Sequence, residues 1–353
     1  MINLNKRIQA FASLGKLLIE ACDNSTKDIH KNSLLNKLEQ SIINSSNYNG
    51  WFIENNVRYM LVSIGHSLNK SNLEKWIKPY KKELEHSKNS NIIGVVMAGN
   101  VPIVGFHDFL SILLSGNKIL AKLSSDDNKL LPIIAELLID IEPAFKEMIQ
   151  FTDNRLANFD AIIATGSNNT SRYFEYYFGK YPNIIRKNRN SIALITGDET
   201  DDELLYLSKD IFMYYGLGCR NVSHIMIPEG YDMNNMLRIF SLNEEVVVNH
   251  KYFNNYEYNK AIYLVNSKKH FDTGNLLLTE DASYSSPVSV IHFSYYNKIK
   301  SISTLLEANS SEIQCIVTIL NSIKDAVIPG HSQDPQLWDY ADGVDTMQFL
   351  INI

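Results

Sequence analysis

The sequence predicts an α/β protein built on a doubly wound sheet, with a helical N-terminus and a second, smaller α/β domain. Three observations support this fold class. Short apolar runs alternate with segments of helical periodicity from residue 91 onward, which is the pattern of β–α–β units. Glycine and asparagine turns separate these segments. The 353 residues, 45% of them hydrophobic, are also enough for two cores.

The first 90 residues lack that alternation and are predicted to be helical. Apolar side chains recur at helical spacing in the first helix, at Ile8, Phe11, Leu14, Leu17 and Leu18. Residues 71–74 read Ser-Asn-Leu-Glu, the pattern of a capping box at a helix start. We expect the aromatic side chains of Trp51, Phe52 and Trp76 to anchor the core of this region.

The β–α–β units follow in chain order. The predicted strands are 92–97, 118–123, 159–164, 184–185, 191–195, 224–227, 261–265, 288–293 and 313–319. Between them, the first predicted helix runs through Phe109, Leu110, Leu113 and Leu114 and stops at Gly116-Asn117. The other predicted helices are 130–149, 168–178 and 201–215. We expect the N-terminal helices and the doubly wound domain to occupy residues 1–212, and the second domain to occupy residues 213–353.

Composition limits the classes of function. The net charge of −6 leaves no broad basic surface for a nucleic acid. The most apolar window, residues 130–145, is broken by two prolines and three carboxylates, so we expect no membrane span. The N-terminus leads into a helical pattern instead of a signal peptide, and the three cysteines do not form a disulfide pattern. We therefore expect a cytoplasmic protein.

The tripeptide Gly218-Cys219-Arg220 is the strongest candidate for chemistry. Cys219 lies between a glycine and the polar residues Arg220 and Asn221, not within an apolar stripe. The glycine leaves room for a substrate carbonyl, and a neighbouring arginine or a following helix lowers the pKa of a thiol, ordinarily about 8.5. The alternative is a small buried hydrophobic residue. We expect that role for Cys22 and Cys315.

Two further features fit nucleotide binding. Thr165-Gly166-Ser167 follows a strand, and a glycine turn with a serine N-cap presents backbone N–H groups to a phosphate. Many helices begin this way without a ligand. Lys122 ends an earlier strand and either bonds a ribose or phosphate or is merely solvated. Both features map to one edge of one sheet, where such folds bind ligands.

No metal site is expected from the sequence. None of the nine histidines has metal-ligand spacing to a cysteine or another histidine. Asp339, Asp342 and Asp345 lie close together, but their spacing is not that of an EF-hand.

Five motifs in this order resemble a known family. They are Ala98–Pro102, Leu114–Asn117, Lys122–Ser125, Gly218–Val222 and Asp339–Met347. Together they resemble the acyl-CoA reductase family that includes the fatty-acid reductase of bacterial bioluminescence, within the aldehyde dehydrogenase superfamily. The resemblance runs from about residue 51 to the C-terminus and implies an aldehyde dehydrogenase-like fold.

The resemblance implies roles for the matching residues. Cys219 falls at the nucleophile, and Asn100 falls at the side-chain amide that forms the oxyanion hole with the cysteine N–H. Lys122 falls at the lysine that contacts the adenosine ribose of the cofactor. Thr165-Gly166-Ser167 matches the turn beside the pyrophosphate, and Glu280 matches the glutamate that holds the nicotinamide ribose.

Two departures from the superfamily pattern bear on the reaction. Hydrolytic relatives carry a water-activating glutamate about a helix and a strand before the cysteine. The corresponding stretch here, taken as Arg186–Arg189, has no carboxylate, which favours reduction. Three residues past Lys122, NAD-preferring relatives place a glutamate on the ribose 2′-hydroxyl. This chain has Ser125 there, which favours NADPH over NADH.

The resemblance therefore implies NADPH-dependent reduction of a fatty acyl-CoA thioester to the aldehyde, through a thioacyl intermediate on Cys219. One alternative is an acyl group delivered by an acyl-protein synthetase or a carrier protein. Another is a non-catalytic scaffold that binds a nucleotide. The basic residues of Arg186–Arg189 either meet the coenzyme A phosphates or form a solvated edge. The superfamily also implies a homo-oligomer.

Overall fold

The computed structural model describes residues 2–23, 33–86 and 90–353. The chain forms two compact units, Met1–Lys187 with Gln336–Ile353, and Asn188–Pro335. This division differs from the boundary expected at residue 212 in two respects. The strand predicted at 191–195 pairs with later strands and so belongs to the second unit. The C-terminal segment returns to the first unit.

The helical N-terminus is confirmed. Its described helices are α1 (Leu4–Cys22), α2 (Ser33–Ile43), α3 (Ser45–Tyr48), α4 (Glu54–Ser67), α5 (Lys70–Ile77) and α6 (Lys81–His86). Phe11, Leu14 and Leu18 of the predicted stripe are fully buried, as are Phe52 and, nearly, Trp76. The predicted capping box is wrong, because the N-cap of α5 lies two residues earlier, where the Asn69 side chain accepts the N–H of Asn72.

The first unit contains a five-stranded parallel sheet in the order β3-β2-β1-β4-β5. Its strands are β1 (Ile92–Val96), β2 (Lys118–Lys122), β3 (Ile149–Phe151), β4 (Ala161–Thr165) and β5 (Asn183–Arg186). The crossover helices are α7 (Phe106–Ser115), α8 (Leu130–Ile141) and α9 (Asn168–Phe178). The chain reverses its direction of travel across the sheet between β1 and β4, which is the switch point of a doubly wound fold.

The second unit contains a six-stranded sheet in the order β11-β6-β7-β10-β9-β8. Its strands are β6 (Asn190–Leu194), β7 (Val222–Pro228), β8 (Phe271–Asp272), β9 (Leu277–Glu280), β10 (Val290–Tyr296) and β11 (Ile313–Val317). All neighbours are parallel except β8 and β9. The helices are α10 (Asp201–Phe212), α11 (Asn234–Ser241), α12 (His250–Val265) and α13 (Ile299–Ala308).

The strand predicted at 261–265 is wrong, because these residues end α12. Four side chains of α12 are buried at helical spacing, namely Tyr252, Tyr256, Asn259 and Tyr263. The tyrosine rings supply the apolar area of this buried face, and tyrosine is only partly apolar. The helical spacing is therefore weak in the sequence, and the short apolar run at 261–265 resembles a strand. None of the described helices combines the length and the apolar character that a bilayer crossing requires.

Asp345 and Tyr340 tie the C-terminal segment to the rest of the first unit. The last helix, α14 (Thr346–Ile351), is capped by Asp345, whose Oδ1 accepts the N–H of Gln348 at 2.8 Å. The other oxygen of Asp345 accepts the hydroxyl of Tyr80 at 2.5 Å. The indole N–H of Trp76 donates to the hydroxyl of Tyr340 at 2.8 Å. These bonds give Asp345 and Tyr340 a structural role within this unit.

Candidate active site and cofactor edge

Except for Glu280, the predicted cofactor residues lie at the carboxyl edge of the first unit's sheet. Val96 at the end of β1 is in register with Lys122 of β2 and with Ala164 of β4. Lys122 is therefore level with Ala164, the residue before Thr165. Their strands, β2 and β4, are separated by β1 and lie about 10 Å apart. Asn100 follows β1, which lies between these two strands. Sheets of this class bind ligands in the crevice at this switch point.

The turn after β4 has the geometry that its sequence predicts. Ser167 is the N-cap of α9, and its Oγ accepts the N–H of Thr170 at 3.3 Å. A Cβ at Gly166 would lie 3.0 Å from Thr170 and from the ring of Phe174. Glycine thus lets the chain turn tightly onto the first residues of α9. The helix start presents backbone N–H groups, which favour an anion.

The turn that carries Asn100 is packed against the loop after β2. A Cβ at Gly99 would lie only 2.6 Å from the Cβ and Oγ of Ser124. Ile103, in the left-handed region at φ 56°, donates its N–H to Oδ2 of Asp127 at 2.6 Å. Asn100 itself is exposed, as is Ser125 in the neighbouring loop. The close approach at Gly99 therefore fixes these two loops relative to each other.

Asp127 is a buried residue of this edge that the sequence analysis missed. Its side chain is 6% exposed, and its Oδ1 has no hydrogen-bond partner among the described residues. Burial raises the pKa of this carboxyl to about 7, although the bond from Ile103 acts in the opposite direction. The pair Asp126-Asp127 was visible in the sequence, but nothing there indicates which carboxylate is buried.

Cys219 is exposed, in a loop of the second unit that connects α10 to β7. Before this loop, Tyr214, Tyr215 and Gly216 all have positive φ angles, of 52°, 59° and 75°. Two consecutive non-glycine residues in the left-handed region are uncommon and strained. This turn ends α10 abruptly and leads the chain to Cys219. A strand and not a helix follows Cys219, because β7 begins at Val222.

The polar neighbours of Cys219 bond to the protein around it. The Nε of Arg220 donates to the carbonyl of Ser332 at 2.5 Å, so this guanidinium fastens the loop to another loop of the same unit. Below the loop, Cys315 is buried, with its Sγ 3.0 Å from the Oγ of Ser191. Cys22 is buried as well. The expectation that these two cysteines are core residues is therefore confirmed.

The structure does not bring Glu280 to Cys219. Glu280 ends β9, at the carboxyl edge of the second sheet, whereas Cys219 precedes β7 at the amino edge. Both strands run parallel to β10. The chain then returns toward the amino edge, where the carbonyl of Tyr284 accepts the hydroxyl of Ser223 at 2.7 Å. The residues around Tyr284, which the sequence analysis passed over, are thus closer in the fold to the start of β7.

The basic stretch 186–189 does not form a coenzyme A site at Arg186. This side chain is buried and makes a bidentate pair with Asp108, at 2.5 and 2.8 Å. Lys187 is exposed and pairs with Glu175 at 2.9 Å. Burial of Arg186 could not be anticipated, because its partner is 78 residues away in sequence.

The stretch without a glutamate lies a strand and a helix before Cys219 in the structure. Residues 187–189 immediately precede β6, and β6 and α10 precede the Cys219 loop. They contain no carboxylate. Glu199, in the segment between β6 and α10, accepts the N–H groups of Thr196 and Gly197, at 2.6 and 3.0 Å, and so closes that turn. That the missing carboxylate favours reduction stays a prediction.

Comparisons with known proteins identify the fold. A family model described as Acyl-CoA reductase (LuxC) matches residues 20–237. Aldehyde dehydrogenase 21 from Physcomitrella patens, solved with the reaction product succinate, is 12% identical; the match covers 98% of this chain and 84% of that one, with a TM-score of 0.66. A comparison with curated proteins found no match.

Two further solved structures contain a dinucleotide. An aldehyde dehydrogenase from Mycobacterium tuberculosis, complexed with NAD+, is 12% identical over 91% of this chain and 74% of that one, with a TM-score of 0.61. A mutant of aldehyde dehydrogenase C from Pseudomonas syringae, complexed with NAD+ and octanal, is 9% identical over 90% and 73%, with a TM-score of 0.61. The predicted aldehyde dehydrogenase-like α/β fold is confirmed.

Proposed function

This chain belongs to the acyl-CoA reductase (LuxC) family, and we propose that it reduces a fatty acyl-CoA thioester to the aldehyde with NADPH, through a thioacyl intermediate on Cys219. The family and the fold support an oxidoreductase that converts acyl groups to aldehydes. The observation that carries the finer proposal is the exposure of Cys219 on a loop set up by a strained turn.

The first half of the reaction is an exchange of thioesters. The thiolate of Cys219 attacks the carbonyl carbon of the acyl-CoA, a carbon–sulfur bond forms, and an electron pair moves onto the carbonyl oxygen. Collapse of this tetrahedral species breaks the bond to coenzyme A, which leaves as a thiolate and takes up a proton. One thioester replaces another, so the step needs no external source of energy.

The second half releases the aldehyde from the enzyme. The nicotinamide cofactor, when bound, supplies the hydride that reduces the thioacyl carbon. The resulting oxyanion collapses, the bond to the sulfur of Cys219 breaks with its electron pair, and the thiolate is regenerated. We assign the side-chain amide of Asn100 and the N–H of Cys219 to the stabilisation of the two oxyanions, as the resemblance implies.

The carboxyl edge of the first sheet fits a dinucleotide. Gly166 and Ser167 form a tight turn at the start of an 11-residue helix, where added side-chain bulk at the glycine would meet Thr170 and Phe174. We assign this turn, with Thr165, to the pyrophosphate and Lys122 to the adenosine ribose. The two solved relatives that contain NAD+ support a nicotinamide cofactor.

We assign Ser125 to the ribose 2′-phosphate of NADPH. It is exposed in the turn after β2, three residues past Lys122, and carries no charge that would repel a phosphate. Glu280 is left out of the proposed site because of its position at the opposite edge of the second sheet from Cys219. A Ser125→Glu variant is expected to lose NADPH affinity and to favour NADH.

The direct test is the Cys219→Ala variant. NADPH oxidation is followed by absorbance with a series of acyl-CoA chain lengths, and mass spectrometry after incubation without NADPH reports the acyl adduct. Wild-type protein should show turnover and an adduct on Cys219, whereas the variant should lose both. Cys315→Ala, at a buried cysteine, is the matched control and should keep the adduct. Undiminished turnover by Cys219→Ala would remove this residue from the mechanism.

The acyl donor is tested in the same assay. Free acyl-CoA and an acylated carrier protein are compared at equal concentration of acyl groups. Equal or better turnover with acyl-CoA supports the proposal. Turnover with the acylated carrier protein but not with free acyl-CoA would show that the carrier protein is the acyl donor. The role of Cys219 would be unchanged.

A further inference from the structure

The peptide planes on either side of Cys219 are both held by hydrogen bonds. The carbonyl of Gly218 accepts the backbone N–H of Asn221 at 3.0 Å, and the N–H of Gly218 donates to Oδ1 of the same residue at 2.9 Å. The carbonyl of Cys219 accepts the hydroxyl of Ser191 at 2.9 Å. Because a peptide unit is planar, a bond to its carbonyl also fixes the direction of its N–H.

The Gly218–Cys219 peptide carries the N–H that the proposed function assigns to the oxyanion. In a trans peptide the C=O and the N–H point in opposite directions. The carbonyl of Gly218 is directed at Asn221, so the N–H of Cys219 points away from that residue. The orientation of this donor therefore depends on where Asn221 lies.

Asn221 is itself held firmly. Its side chain is 2% exposed, and its Nδ2 donates to the carbonyls of Asp210, at 3.0 Å, and Met213, at 2.7 Å. These carbonyls belong to the end of α10 and the strained turn after it. The side-chain amide thus uses both hydrogens and its oxygen, and it joins the end of α10 to the loop of Cys219.

We propose that Asn221 is a positioning residue that orients the Cys219 N–H toward the oxyanion of the tetrahedral intermediates. The inference rests on the proposed function, because it gives this N–H its task. It predicts a specific defect: loss of the Asn221 amide slows steps that place charge on a carbonyl oxygen and leaves other reactions of the thiol unaffected. A purely structural role would lower acylation only in proportion to the folded fraction, which near-UV circular dichroism measures on each variant. Alkylation alone does not report folding, because iodoacetamide also reacts with the thiol of an unfolded chain.

Two reactions of the same sulfur separate these possibilities. Acylation by acyl-CoA passes through an oxyanion, whereas alkylation by iodoacetamide displaces iodide directly and places no charge on a carbonyl oxygen. Both rates are measured by mass spectrometry on wild type and on Asn221→Ala. We expect acylation to fall about 10- to 100-fold, because a misplaced oxyanion donor loses most of its effect. Alkylation should stay within about twofold of wild type.

The matched control is Asn275→Ala, in another loop of the same unit. Asn275 is also 2% exposed, donates to the carbonyl of Phe240 at 3.0 Å and accepts the hydroxyl of Thr273 at 2.6 Å. Replacing Asn275 by alanine removes buried side-chain hydrogen bonds of the same kind, but none of them is to the Cys219 loop. Both rates should match wild type in this variant. The inference is overturned if Asn221→Ala keeps wild-type acylation, if acylation and alkylation fall equally, or if acylation falls only as far as the folded fraction.

A second variant covers poor folding of Asn221→Ala. Asn221→Asp keeps an oxygen that accepts the N–H of Gly218, so it should retain more acylation than alanine at equal alkylation. Aspartate that is no better than alanine overturns the role given to Oδ1. Wild-type protein is measured first. If acyl-CoA does not acylate Cys219 in wild type, the proposed function fails. If wild type is acylated and Asn221→Ala is acylated at the same rate, the result counts against this inference alone.

Discussion

Breaking the buried pair between Asp108 and Arg186 should strongly destabilise the first unit. Both side chains are 7% exposed, and the guanidinium also donates to the hydroxyl of Thr346 at 3.1 Å. Asp108→Asn keeps the size of the side chain but leaves a buried positive charge without its counter-charge. Removing one partner of such a pair costs about 3–5 kcal/mol. For a domain of this size each kcal/mol lowers Tm by about 2–4 °C, so we expect a fall of about 6–20 °C.

The assay is calorimetry of wild type, Asp108→Asn and the control Glu175→Gln. Glu175 pairs with Lys187, next in sequence to Arg186, but both of these side chains are more than half exposed. An exposed pair contributes about 0–1 kcal/mol, so the control should lie within about 4 °C of wild type. A wild-type Tm in Asp108→Asn would refute the reasoning, because it would mean that the guanidinium is not confined to a dry site.

Three further results are expected. In Gly99→Ala the new methyl group meets Ser124 at 2.6 Å, so the turn before Asn100 must shift, and steady-state kinetics should show kcat at least about tenfold lower. Burial raises the pKa of Asp127 from 3.8 to about 7, so the folded state loses stability as the pH rises between these values. At pH 8 the free energy of unfolding of Asp127→Asn, measured in urea, should be about 1–2 kcal/mol higher than that of wild type. Burial lowers the pKa of His224 from 6.5 to about 4, so between these pH values only the unfolded chain binds the proton. The free energy of unfolding should therefore drop by up to about 3 kcal/mol as the pH falls from 6.5 to 4. Urea unfolding of His224→Gln should show a smaller dependence on pH over this range.

The sequence predicted the parts of the fold that local pattern decides. Strands such as β1 and β4 are buried on both faces and read as unbroken apolar runs. The three-residue β3 was missed because it is too short to show a period. The unit boundary was misplaced because β6 resembles its predecessors along the chain, and only its pairing with β7 and β11 assigns it to the second sheet. Pairing of that kind is a non-local property.

The candidate site was predictable where a residue's own neighbours reveal its environment. The polar flanks of Cys219 indicated exposure, and the strand before Gly166 indicated a turn at a sheet edge. The environment of Arg186 was not predictable, because a basic stretch looks solvated until its distant partner is known. Asn221 was visible beside the cysteine, but its task depends on carbonyls that only the left-handed turn after α10 brings within reach.

In each unit a buried polar side chain supports the loop of an exposed residue of the proposed site. In the first unit Asp127 accepts the backbone N–H of Ile103, three residues after Asn100, and in the second Asn221 accepts the backbone N–H of Gly218, the residue before Cys219. In both cases the buried group bonds to the backbone of the loop, not to the exposed side chain. A hydrogen bond to a backbone group does not depend on the identity of the exposed side chain, so such a loop can keep its shape when that side chain is replaced. The shapes of the loops at Asn100 and Cys219 are therefore set by buried residues to which the proposed reaction assigns no chemical step.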